Sequence, residues 1–75
     1  MTRLDLHNIR HQDVATTLEH TLNSLWGEKE ELKIITGHSE KMRKIVIDIL
    51  DDYGLEYQIG DWSGQNMGFI KTYLD

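Results

Sequence analysis

Asp5 and His7, separated by one residue, are the first side chains in this 75-residue sequence with the types and spacing for chemistry. In Arg3-Leu4-Asp5-Leu6-His7 they share one side of an alternating segment, so a carboxylate stands beside an imidazole it can orient. A second group, Thr36-Gly37-His38-Ser39, adds another imidazole, a hydroxyl and a glycine that allows close backbone approach. These types suit proton transfer at a phosphate. His7 or His38 would move the proton or hold a phosphate oxygen, and Asp5 would orient a histidine or bind a divalent cation. A metal site built from His7, His38 and Asp5 is an alternative use of the same donors, with Mg2+ or Mn2+ as the ion, although nothing in the spacing demands it. The sequence contains no cysteine, which excludes disulfides, thiol catalysis and cysteine-bound zinc or iron–sulfur clusters. No side-chain nucleophile stands out, so the attacking group would come from outside the chain.

The elements that must position these residues follow from periodicity. Leu4 and Leu6 alternate with polar neighbours, which predicts a half-buried first strand over 3–7. Val14, Leu18, Leu22 and Leu25 form one stripe of an amphipathic helix over 12–26, stopped by Gly27. Leu32-Lys33-Ile34-Ile35-Thr36 is short and β-branched, and reads as a central strand buried on both sides or nearly so. Ser39 is a suitable N-cap for a second helix, whose apolar positions Met42, Ile45, Val46, Ile49, Leu50 and Tyr53 carry the clearest helical pattern in the chain. Leu55 to Ile59 predicts a third strand, Gly60 to Gly68 a hairpin connection, and Phe69 to Leu74 a fourth strand.

The order is therefore β-α-β-α-β-β. Parallel pairing through crossovers is the default for strands flanking a helix, with an antiparallel hairpin at the end. The expected fold is an α/β two-layer sandwich: a four-stranded mixed sheet with two helices on one face. The other sheet face is left for solvent or a partner. Asp5, His7 and the Gly37 loop then meet at the C-terminal rim of the first two strands, where ligands usually bind, beside the phosphate-attracting start of the second helix.

The same residues carry a family resemblance. Leu4-Asp5-Leu6-His7, followed by Ile9-Arg10, is similar to the LDLH signature that opens Smr (small MutS-related) domains. Thr36-Gly37-His38-Ser39 resembles their second signature, written TGxG or HGKG. Met42-Arg43 matches the Leu-Arg early in the following helix, and Asn66-x-Gly68 resembles the NxG before the last strand. The matches run from residue 4 to residue 74, so residues 1–75 read as a single Smr-like domain. Two positions depart from the pattern: Ser39 replaces the second loop glycine, and Asn8 stands where glycine is common. The resemblance implies an endonuclease or nicking activity on DNA or RNA, with Asp5 and His7 in the active site. It also implies that the Gly37 loop contacts the nucleic-acid backbone, and that Arg10 and Arg43 pair with phosphates.

Composition bounds the alternatives. A chain of this length supports one modest core. No apolar run approaches the length of a membrane span, and no apolar segment follows Met1 to serve as a secretory signal, so the expectation is a cytoplasmic protein without a membrane partner. The net charge of −5 argues against strong non-specific nucleic-acid binding, but leaves room for a local basic patch from Arg3, Arg10, Lys41, Arg43 and Lys44. Trp62 would either stack on a base or pack at a hairpin tip against the open sheet face. His11 and His20 read as solvated helix residues. The competing function is a non-catalytic binding module, in which the open sheet face takes a protein partner with a basic surface or a second copy of the chain; both a monomer and a homodimer fit the sequence.

Overall fold

Leu4 and Leu6 do turn inward together, and the rest of the fold follows from what they pack on. In the computed structural model, which describes residues 2–60 and 68–74, the order is β1 (Thr2–Asp5), α1 (His11–Leu25), β2 (Glu30–Ile35), α2 (Glu40–Asp52), β3 (Tyr57–Ile59) and β4 (Phe69–Leu74). The expected α/β architecture is present: a four-stranded mixed sheet and two helices. Trp62 and Asn66 lie outside the described residues.

Each helix ends for a local reason. α1 stops in a turn closed by the Glu28 amide donating to the Leu25 carbonyl at 3.0 Å, with Gly27 at φ +83°. α2 begins where Ser39 Oγ accepts from the Met42 amide at 3.1 Å. It ends in a Schellman turn: Gly54 takes φ +70°, its amide donates to the Asp51 carbonyl, and the Leu55 amide donates to the Leu50 carbonyl.

Both helices bury their apolar stripes against the same side of the sheet. Val14, Leu18 and Leu22 of α1 join Met42, Val46 and Leu50 of α2 in one cluster with Leu6, Leu32, Ile34, Ile70 and Leu74. Thr72, also on that side, is buried with its hydroxyl donating to the Glu56 carbonyl at 2.7 Å, which satisfies a polar group in an apolar layer.

The sheet order, β1-β2-β4-β3, corrects two expectations. β1 and β2 pair in parallel, and β3 and β4 pair antiparallel, as the connections imply. β4, however, inserts between β2 and β3, so β2 and β3 are not neighbours. The six residues of β4, burying Ile70, Thr72 and Leu74 on the helix side, fill the central position far better than the three of β3. A short strand with no fully buried residue belongs at the edge. β2 is also not buried on both sides. With both helices on one face, Leu32 and Ile34 are buried, whereas Lys33 and Ile35 look out from the uncovered face.

This core sets a first prediction. Leu18 is fully buried among both helices and the sheet, so Leu18→Ala should lower unfolding stability by about 2–5 kcal/mol, read as a lower midpoint in urea denaturation with an unchanged m-value.

Candidate functional site

β1 ends at Asp5, and the ladder to β2 gains one more bond where the Leu6 amide donates to the Ile35 carbonyl at 2.8 Å. Leu6 points into the core, so the chain is anchored there and turns at once; the Ile9 amide donates to the Leu6 carbonyl at 3.0 Å and leaves His7 and Asn8 at the outer side of the turn. The Asp5 carboxylate braces this turn. Its Oδ1 accepts from the His7 backbone amide at 3.1 Å, an Asx-turn contact, and also meets Nδ1 of the His7 ring. A carboxylate can only accept, so Nδ1 carries the proton and Nε2 is the free nitrogen. The His7 side-chain bond, followed by the backbone bond, holds the Asp5 carboxyl below the ordinary carboxylate range. Both side chains remain about half exposed, so the pair is an orienting device at a wet rim rather than a buried ion pair.

The Gly37 loop packs against this pair. Gly37 adopts φ +67°, and a Cβ built there would stand 3.4 Å from the His7 Cβ. The Thr36 and Gly37 amides both donate to the Gly68 carbonyl, at 2.9 and 3.0 Å, which ties the loop to the start of β4. The Gly37 and Met42 amides are therefore satisfied within the protein. Neither of these two amides is open to an anion.

Beside the loop lies a shallow cleft of about 310 Å³ that includes Arg3, His7, Lys33, Gly37, His38 and Phe69. Two of the three expected catalytic residues, Asp5 and His7, are in direct contact, and His38 faces the same cleft as His7. Ser39 serves as the α2 cap. Arg10 is exposed at the start of α1. Lys44 is engaged with Asp48 of its own helix at 3.1 Å. Arg43 is partly buried, and its Nε has no hydrogen-bond partner among the described residues. Lys33 and Phe69 are the cleft residues that sequence reasoning missed. Their only signal was a lysine inside an apolar strand, and its position over Phe69, with Nζ 4.4 Å from the ring centroid, depends on a pairing register that periodicity does not reveal.

Among the described residues no group of three or more His, Cys or acidic side chains gathers to hold a metal. Asp5 already spends one carboxylate oxygen on His7, so Asp5, His7 and His38 do not make a dedicated Mg2+ or Mn2+ cage.

In a pH titration followed by NMR, the Asp5 carboxyl should titrate below the range of an ordinary aspartate, and His7→Ala should return it most of the way, since only the backbone donor at residue 7 survives. Because folding depresses this pKa, the stabilisation it reflects is complete above the unfolded-state value and disappears as pH falls through the folded-state value. An unchanged midpoint in His7→Ala would refute the pairing. Gly37→Ala forces a β-carbon into left-handed backbone against His7 and should cost about 1–2 kcal/mol in denaturation.

Among the described residues no helix is long and apolar enough to cross a membrane. Compared with known proteins, the chain matches no family model, no curated protein and no solved structure.

Proposed function

We propose that this chain is an Smr-like endonuclease or nicking domain that cleaves a phosphodiester of DNA or RNA at the rim formed by Asp5, His7 and the Gly37 loop. One observation carries the reading: Asp5 fixes the His7 imidazole through Nδ1 and leaves Nε2 free beside a cleft lined by His38 and two cations, Arg3 and Lys33. A carboxylate-oriented imidazole is the ordinary arrangement for a general base.

In this mechanism His7 Nε2 takes the proton of the attacking hydroxyl, a ribose 2′-hydroxyl in RNA or a water in DNA. The oxygen forms its bond to phosphorus and the bond to the leaving oxygen breaks. The leaving oxygen takes a proton from the His38 imidazolium, which leaves that ring neutral. Arg3 and Lys33 stabilise the charge that builds on the non-bridging oxygens. The sequence signatures around Asp5 and Gly37 support the same assignment, and the cations of the cleft supply the local positive charge that a chain of net charge −5 otherwise lacks.

The test is cleavage of labelled single-stranded RNA, structured RNA and supercoiled DNA, each with Mg2+, with Mn2+ and with EDTA. Asp5→Ala and His7→Ala should each lower the rate by about two to four orders of magnitude while circular dichroism shows an intact fold. Equal cleavage by both variants, or no cleavage of any substrate by the wild type, overturns the proposal.

A further inference from the structure

The uncovered face of the sheet carries its cations in a line. Register pairs Arg3 with Lys33, Lys33 with Lys71, and Lys71 with Gln58, so one row of side chains crosses all four strands in the order β1, β2, β4, β3. At the usual strand separation of about 4.8 Å, the three cations span roughly 10 Å. They are three of only eight lysines and arginines in the chain. Phe69 lies beneath them, its ring centroid 4.4 Å from Lys33 Nζ and 5.9 Å from Lys71 Nζ, which holds both ammonium groups over the sheet. On one side of this row is Tyr73, with 55 % of its surface exposed, in a groove that also holds Glu31 and Glu56. On the other side are Asp5, Ile35 and Phe69, and beyond them the His7 and His38 rim. The cleft that holds His7 also contains Arg3 and Lys33, so the cation row and the candidate active edge are one continuous surface.

We infer that this open sheet face binds single-stranded nucleic acid, with its phosphates on the Arg3–Lys33–Lys71 row, a base against Tyr73, and its path leading to the Asp5–His7 edge. The direction of the path rests on the function proposed above; the binding does not. Charge complementarity selects a polyanion, since the row is cationic on a protein that otherwise repels one. The exposed tyrosine beside the cations selects a strand whose bases are free to stack on it rather than a duplex, whose base faces are already covered by their neighbours. Glu31 reaches Lys71 only at 3.9 Å, and both side chains are more than a third exposed, so a phosphate displaces it readily.

The experiment is fluorescence anisotropy of the full chain with 5′-labelled 12-nucleotide oligo-U, oligo-dT and a 12-base-pair duplex. The Asp5→Ala background suppresses cleavage, and salt is varied. Single strands should bind at least tenfold more tightly than the duplex; the U and dT arms distinguish RNA from DNA. The log–log salt slope should be about −2, three contacts at about 0.7 each. Lys33→Gln and Lys71→Gln, which keep an aliphatic stem over Phe69, should each reduce that slope by about 0.7. Tyr73→Ala should weaken binding about fivefold or more with the slope unchanged. Lys29→Gln, in the turn before β2 and away from the row, should change nothing. A slope unaffected by Lys33→Gln and Lys71→Gln, a preference for duplex, absent binding, or equal displacement by an oligo-glutamate peptide would overturn the inference. Binding without cleavage in the wild type would sink the nuclease reading alone, and cleavage insensitive to Lys71→Gln, which lies outside the cleft, would sink the platform alone.

Discussion

The pairing register that brings Leu4, Ile34, Ile70 and Ile59 into one row on the helix side of the sheet governs everything else in this protein. Side chains alternate along a strand, so a single register assigns both faces at once. Once burial selects that row and its neighbours Leu32 and Thr72 for the core, Arg3, Lys33, Lys71 and Gln58 have no choice but to align on the opposite face. A slip of one residue between β2 and β4 would place lysines under the helices and leave isoleucines in water. The desolvation of those ammonium groups makes that alternative far worse than the native pairing. The cation row is thus a by-product of core packing.

The same layering explains how an acidic chain can gather three cations in one row. Asp13, Glu19, Asp48, Asp51 and Asp52 are exposed on the helices with Lys41 and Lys44, whereas the uncovered sheet face has Arg3, Lys33 and Lys71 in one row, with Asp5, Glu31 and Glu56 on either side of it. Of those carboxylates, Asp5 is engaged with His7 and Glu31 lies near Lys71. A net charge of −5 describes the sum over the chain and says little about either face. At physiological ionic strength the Debye length is about 8 Å, short enough for opposite faces of a small domain to be sensed separately.

The rim chemistry depends on the sheet in a second way. Asp5 is the last residue of β1 and His7 sits in the turn that follows, so strand anchoring through Leu6 sets the distance between carboxylate and imidazole. Gly37 is held against His7 because the Thr36 and Gly37 amides hang on the Gly68 carbonyl at the start of β4. The insertion of β4 beside β2 therefore builds both the central core and the back wall of the cleft.

Much of this architecture is legible in the amino-acid sequence. Helical stripes at Val14–Leu25 and Met42–Tyr53, the Ser39 cap, and the stops at Gly27 and Gly54 are local signals, and local backbone physics honours them within a residue or two. The closeness of Asp5 and His7 is legible for the same reason, because two residues of one strand end cannot be far apart. The strand order, the one-sided burial of β2 and the roles of Lys33, Lys71 and Phe69 are not. They depend on which of two strands separated by many residues wins the place beside β2, a competition settled by buried area over the whole sheet. Sequence alone determined the elements and the Asp5–His7 pair, because short-range geometry suffices for both; only the tertiary structure decided which side chains line up across strands, because register is a property of pairs.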